Sequence, residues 1–312
     1  MNRHILIKGY LFAVISCLLW STNFVVARAI RDIVGPFTIT SIRTALAVAI
    51  LLPFVRAHGG LGDLRARWRL WLACAVTGVV GTSGFTYWAL HFTLAVNAAL
   101  INGTGPLFTI VLGRAILREP VGPAVLAGFT LSFVGVIWII SGGNPAVLLG
   151  LHVNIGDAML IFVMTLWALY SVLGRKIMAQ TPTTMFTGNT LLTALPFVLL
   201  MGSVEVASQG PPVLGWPLVG ASLYLTLANT VVGFLLWNEA VRLIGPTRVA
   251  ITYNTVPLFG AILALLFLGE PLAWHHVVGG ALIIVGSTAG ILATGEQRGE
   301  AVEPRAAGVP RN

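Results

Sequence analysis

The chain reads as a succession of continuous apolar runs, each about twenty residues long, separated by short breaks rich in Gly, Pro and charged residues. Ten runs can be drawn, at approximately 9–29, 37–56, 70–91, 94–117, 121–141, 155–175, 183–203, 215–238, 245–268 and 273–294. A helix crossing a bilayer needs roughly 20 predominantly apolar residues. Closed β-barrels also cross lipid, but they read as alternating segments of about 10 residues. The runs here are unbroken and twice that length, so they predict helices. The stretch 94–141 is the hardest to divide, and Arg118-Glu119-Pro120 is its natural break.

The runs are internally duplicated. Residues 99–140 align without a gap on 250–291, with fourteen of the 42 positions identical. Leu and Val inflate such matches in an apolar chain, so the polar and helix-breaking identities carry the weight. These are Thr104 with Thr255, Pro106 with Pro257, Glu119 with Glu270, Pro120 with Pro271, Gly128 with Gly279 and Gly135 with Gly286. At an offset of 147 instead of 151, Trp20 pairs with Trp167 and Arg28 with Arg175. One small loop insertion explains the difference. Two halves of five spans place the second copy upside down relative to the first, an arrangement found in transporter folds. The sequence therefore predicts an all-α integral membrane protein of ten helices: a first repeat over 1–145, an inverted second repeat over 146–295, and a disordered cytoplasmic tail over 296–312.

Composition agrees. Hydrophobic residues make up 57%, charged residues 9%, and mean hydropathy is +0.91; a soluble domain carries about 25% charged residues. Of the 18 Lys and Arg residues, fifteen fall at the two chain ends and in the even-numbered loops, Arg65, Arg67 and Arg69 among them. By the positive-inside rule that side is cytoplasmic, which places the protein in the cell (inner) membrane with both termini inside. The net charge of +8 is a topology signal and implies no nucleic-acid partner. The basic start followed by an apolar run superficially resembles a cleaved signal, but the run is long for one and its Trp20 recurs in the second half. Cys17 and Cys74 lie within apolar spans and read as small core residues.

The segments Leu19-Trp20-Ser21-Thr22-Asn23-Phe24 and Ile42-Arg43-Thr44-Ala45, with the two Pro-Leu-Phe and two Glu-Pro segments, resemble the EamA family of the drug/metabolite transporter superfamily. The resemblance spans about residues 8–294, and the duplicated Glu-Pro segments are its most specific part. It implies a cavity between the repeats lined by spans 1, 3, 4, 6, 8 and 9, no cofactor, and a small-molecule substrate. Bacterial amino-acid exporters are the natural comparison, though the family also includes exporters of drugs and purine nucleosides.

The candidate chemistry lies mid-span. Pro106 and Pro257 are equivalent and lie near the middle of spans 4 and 9, where a proline removes a backbone donor and crowds the carbonyl four residues earlier. Those carbonyls belong to Asn102 and Tyr253. With Thr104 and Asn254 nearby, the reading is a substrate site hinged at the two prolines; the alternative is a pair of packing kinks capped by Thr and Asn. Trp20 and Trp167 lie far from headgroup depth and carry an N–H that needs a partner, so they either line a cavity or pack. Asn23 and Tyr170 follow three residues on, along the same helix face. Tyr87 and Asn238, equivalent positions in spans 3 and 8, extend the candidate lining.

Ionisable groups inside spans are functional candidates by default. Arg43 reads as a structural partner of Asp157, with snorkelling as its alternative. Glu239 reads as a local pair with Arg242, or as a proton-coupling carboxylate. Gly286-x-x-x-Gly290 fits close helix packing, within the chain or between protomers, and a monomer is favoured over a dimer.

No phosphate-binding loop, His-Glu-x-x-His, Gly-x-Ser-x-Gly or Cys-rich metal cluster occurs. The expected function is a secondary transporter, not an enzyme, exporting small metabolites, amino acids foremost, by alternating access. A multidrug or nucleoside exporter is the alternative within transport. An intramembrane enzyme or lipid-handling scaffold is the alternative outside it.

Overall fold

The computed structural model describes residues 3–89, 91–93, 95–119, 121–152, 154–268 and 273–300. Within these, side chains at 24, 27, 28, 83, 84, 87, 95, 96, 264, 268 and 293–300 are outside the description. The second Glu-Pro copy, Glu270-Pro271, and residues 301–312 also fall outside it. Residues 296–300, expected in the disordered tail, continue α16 as helix.

The first repeat comprises α1 (Arg3–Ile30), α2 (Pro36–Ala57), the short α3 (Gly60–Ala66), α4 (Trp68–Ala75), a π-helical segment (Val76–Val80), α5 (Gly81–Ala89), α6 (Ala95–Gly103), α7 (Gly105–Leu117) and α8 (Pro123–Ile140). The second comprises the short α9 (Ala146–Leu149), α10 (Ile155–Ile177), α11 (Thr183–Gln209), α12 (Trp216–Tyr224), a second π segment (Leu225–Val232), α13 (Gly233–Ile244), α14 (Pro246–Thr252), α15 (Thr255–Leu268) and α16 (Trp274–Glu300). Nine helical stretches among the described residues are long and apolar enough to cross a membrane, and a tenth, Trp68–Val80, is shorter. That tenth runs on through α5 to complete the third span.

The duplication is kept down to its irregularities. Position 76 corresponds to 227 and position 80 to 231, so both π segments interrupt the same part of spans 3 and 8. Spans 4 and 9 are each broken in two at equivalent residues, α6/α7 at Thr104 and α14/α15 at Tyr253–Asn254. Five helices, α2, α7, α8, α12 and α14, open with proline in the first turn, where its missing donor has no intrahelical acceptor in any case.

Packing follows the same symmetry. The main contacts of α1 are with α13 and α15, and those of α10 are with their equivalents α5 and α7. The equivalents α2 and α11 pack on each other, as do α8 and α16. Glycine makes both pairings close. A Cβ on Gly202 would lie 2.3 Å from Ser41 Oγ, and one on Gly188 would lie 2.4 Å from Val55 Cγ2. These two contacts are images of each other under the 147-residue offset. The end of the bundle where α1 begins, shared by both termini of a ten-span chain, is termed the terminal end, and the opposite end the far end.

Candidate functional site

Trp20 projects from the middle of α1 onto the second π segment. Its Nε1–H donates to the Asn229 carbonyl at 3.1 Å. A π segment shifts the backbone register and frees such acceptors, often at functional sites. Gly233 permits the approach, since a Cβ there would lie 2.8 Å from Trp20 Nε1. The first π segment receives an aromatic ring in the same way: a Cβ on Gly78, the position equivalent to Asn229, would lie 2.5 Å from the Tyr170 ring.

Trp20 and Trp167, equivalent residues, touch each other with ring centroids 5.4 Å apart at 74°. A residue in contact with its own repeat equivalent sits on the pseudo-twofold axis, so this pair marks the centre of the repeat interface. Around it lie Phe234, Trp237 and Tyr253, at 5.7, 5.1 and 6.4 Å from Trp20. Tyr170 stacks beside Trp167 at 5.4 Å. Edge-to-face and tilted contacts of this kind are favourable beyond the area they bury.

The polar candidates divide into sealed and accessible groups. The Tyr170 hydroxyl lies 2.9 Å from Asn238 Nδ2, which also donates to Thr187 Oγ1 at 3.0 Å. Tyr170, Asn238 and Thr187 are all buried and satisfy one another, so in this conformation they hold α10, α11 and α13 together. Asn23, Asn102 and Thr104 are half-buried. Asn254 is buried with both amide atoms unpartnered. Its equivalent, Gly103, faces Phe133 and Val136 of α8. The Tyr87 side chain lies outside the described residues.

The hinge geometry differs from the expected kink. Pro106 lies in the first turn of α7 and Pro257 is the third residue of α15, so each proline opens a new half-helix and does not bend a continuous one. Thr104 Oγ1 donates to the Ile101 carbonyl and Thr255 Oγ1 to the Thr252 carbonyl, at 2.6 and 2.7 Å. These are equivalent bonds that cap the two breaks. The Tyr253 carbonyl, expected to be free, accepts the Val256 N–H at 3.0 Å. Tyr253 therefore enters the site through its ring.

The expected Arg43–Asp157 ion pair does not form. Asp157 completes a capping box with Asn154 at the start of α10. It also accepts Asn97 Nδ2 at 3.0 Å and the Thr93 hydroxyl. Three neutral donors and a helix N-terminus satisfy the carboxylate, while α2, which carries Arg43, packs on α11 and the second π segment. Glu239 does pair with Arg242, through Nε at 2.7 Å, and accepts Thr183 Oγ1 at 2.5 Å. Glu119, the repeated acid, accepts the Thr247 N–H at 3.3 Å, joining the end of α7 to the start of α14 and closing the terminal end at that point.

Three contributors escaped the sequence. Phe234 and Trp237 share the same face of α13, but their equivalents are Ser83 and Thr86, and an unrepeated aromatic ring in an apolar span carries no polar mark of its own. The third, Glu205, is buried near the end of α11 and accepts the Thr38 N–H and hydroxyl, both at 2.7 Å, and the Phe37 N–H at 3.3 Å. A lone Glu near a span end carries no sequence signal for capping another helix.

The EamA-like transporter family model matches residues 7–141 and 154–290, one segment per repeat. An uncharacterized transporter of Bacillus subtilis, YyaM, is 28% identical over 291 residues, covering 92% of each chain. Proteins described as probable amino-acid metabolite efflux pumps in Salmonella typhimurium and Escherichia coli are each 26% identical, over 89% of this chain and 93% of theirs. A solved crystal structure superposes with a TM-score of 0.77 over 93% of this chain and 98% of its own, at 20% identity, which speaks for the fold alone. The two helical repeats, their broken fourth spans and the family match make one identification: this chain is a multi-pass membrane protein of the EamA-like transporter family.

Proposed function

We propose that this transporter exports small metabolites, amino acids foremost, by alternating access between its inverted repeats. The observation that carries the reading is the Trp20–Trp167 contact on the pseudo-twofold axis, flanked by half-helices that break at equivalent residues. Inverted repeats supply two related arrangements around a fixed central site. Breaks at Thr104 and Tyr253–Asn254 give each repeat a joint at the same depth. The binding set is drawn from Trp20, Asn23, Asn102, Trp167 and Tyr253, with Pro106 and Pro257 fixing the joints. Two relatives described as probable amino-acid metabolite efflux pumps support the substrate class.

The cytoplasmic side is the terminal end, on the strength of the Lys and Arg bias. The protein functions as a monomer, because Gly286 and Gly290, the motif that offered a dimer face, are occupied by Gly128 of the same chain. The decisive experiment is counterflow in liposomes reconstituted with the purified protein. Labelled amino acids should accumulate against unlabelled ones trapped inside. Accumulation of nucleosides or cationic drugs with no amino-acid movement would replace the substrate class, and chemical conversion without vectorial movement would overturn the transporter mechanism.

A further inference from the structure

The two repeats are alike in backbone and unlike in chemistry where they meet. Three pairs of equivalent residues lie on the spans that carry the central aromatic cluster: Asn23 with Tyr170, Thr86 with Trp237, and Asn102 with Tyr253. Of the six, the rings of Tyr170, Trp237 and Tyr253 reach Trp167 or Trp20. In every pair the first-repeat member is small and polar and lies toward the far end. The second-repeat member is aromatic and lies toward the terminal end. The three polar members are half-buried, whereas Tyr170 and Trp237 are 0% and 1% exposed. None of the six carries a formal charge. The described acids nearest in sequence are engaged elsewhere, Asp157 at its helix cap and Glu239 with Arg242 and Thr183.

From this asymmetry, and resting on the transport reading above, we infer that the site binds its substrate in one orientation and selects for one kind of amino acid. The ammonium and carboxylate lie toward the far end among Asn23, Thr86 and Asn102. The two amides offer donors and acceptors, and the Thr86 hydroxyl, which donates to the Thr82 carbonyl, offers an acceptor. The side chain points toward the terminal end, against the rings of Trp237 and Tyr253. A site without formal charge suits a zwitterion whose charges cancel. It penalises a side chain that brings an uncompensated charge out of water. Aromatic walls reward apolar area, and one methylene in such a pocket discriminates by roughly 10- to 200-fold. The substrate class is therefore net-neutral amino acids with a sizeable apolar or aromatic side chain, and lysine and glutamate are excluded.

The test is competition in the counterflow assay, with labelled leucine as the tracer and unlabelled glycine, leucine, phenylalanine, lysine and glutamate as competitors. Leucine and phenylalanine should compete at least about tenfold better than glycine, with lysine and glutamate weaker still. Trp237→Thr installs the residue of the equivalent position and should collapse the leucine-to-glycine ratio toward one. Trp237 is buried and its replacement risks misfolding, so Phe234→Ser, at a half-buried position beside it, is the parallel arm. Asn102→Ala should weaken leucine and glycine by the same factor, roughly 2- to 13-fold for one lost hydrogen bond, and leave their ratio intact. An unchanged ratio in well-folded Phe234→Ser, or a ratio moved by Asn102→Ala in its place, overturns the orientation while amino-acid transport stands. Absence of any amino-acid counterflow in the unmodified protein overturns the amino-acid reading of the substrate class and this inference with it.

Discussion

Gly128 of α8 lies against Gly286 of α16, and Gly135, the equivalent of Gly286, lies against Gly279, the equivalent of Gly128. A Cβ on Gly128 would sit 2.4 Å from the Gly290 nitrogen and 2.7 Å from the Gly286 carbonyl oxygen; one on Gly135 would sit 2.5 Å from the Gly279 carbonyl oxygen. Lipid offers no hydrophobic drive for helices to associate, so close backbone approach between small residues does that work. The Ser132 and Ser287 hydroxyls, 2.9 Å apart, add a polar contact at the crossing. In each case the obstacle to a larger side chain is backbone, which has no rotamer to yield. Gly128→Val or Gly286→Val should therefore exceed the about 1–3 kcal/mol of ordinary overpacking. The expected result is loss of monodisperse protein in detergent size-exclusion, with Gly220→Val, on an open face of α12, serving as a control for expression only. Normal melting temperatures in both variants would show that the crossing is not a structural requirement.

Asp157 and Arg43 should be energetically independent. Removing the carboxylate with Asp157→Ala strands Asn97 and Thr93 and removes the reciprocal half of the α10 capping box, leaving Asn154 as the N-cap, a loss of about 1–3 kcal/mol. Thermal stability should fall accordingly. Because no ion pair joins the two residues, the double variant Asp157→Ala/Arg43→Gln should lose the sum of the single losses, within the roughly 0.3–0.5 kcal/mol of ordinary additivity. A coupling above 1 kcal/mol would revive the pair in another conformation of the protein.

What the sequence revealed depended on whether the relevant information lay along the chain or across it. Spans, duplication and the equivalence of the two broken helices follow from apolar run length and repeated Thr and Pro, all local properties. The central tryptophans were found because the repeat preserves them. Depth was readable from position in a span, and this suggested Arg43 for Asp157. Facing was not readable: α2 turns toward α11, and the nearer donors Asn97 and Thr93 claimed the carboxylate. Phe234 and Trp237 were hidden for a related reason, since an unrepeated aromatic ring in an apolar span does not show along the chain which way it faces. The π segments at 76–80 and 225–232 have no compositional mark. They lie where α10 packs on the first segment and α1 and α2 on the second, which are contacts across the chain.

Glu205 should act as an N-cap supplied from another helix. The start of α2 has no side-chain cap of its own at Gly35, and the Glu205 carboxylate takes the Phe37 and Thr38 donors in its place. The close fit leaves no room for a larger residue, since a Cβ on Gly35 would lie 2.3 Å from Glu205 Cδ. Glu205→Ala should cost about 0.5–2 kcal/mol, the range for a lost cap. Glu205→Gln keeps an acceptor and should lose less. Both losses should appear in thermal unfolding, with transport per folded molecule retained. A transport defect in well-folded Glu205→Gln would point to a role for the charge itself.

The last prediction concerns the joints in spans 4 and 9. Pro106 and Pro257, in the opening turns of α7 and α15, lack the N–H that would bond the Asn102 and Tyr253 carbonyls at the ends of the preceding half-helices and crowd those carbonyls, which holds each span broken at its midpoint. Thr104 and Thr255 tie off the preceding half-helices through Ile101 and Thr252. If the breaks are joints for alternating access, Pro106→Ala and Pro257→Ala allow each span to anneal into a continuous helix. Interconversion should slow, so transport should fall several-fold while equilibrium substrate binding changes little. If the breaks serve packing alone, the same variants should lose folded protein and keep the turnover of whatever folds. Measuring binding and counterflow on the same size-exclusion-purified variants separates these outcomes. Unchanged turnover in both well-folded proline variants would remove the joints from the mechanism. A fall in affinity matching the fall in transport would recast the prolines as shaping the binding site, with no role in its movement.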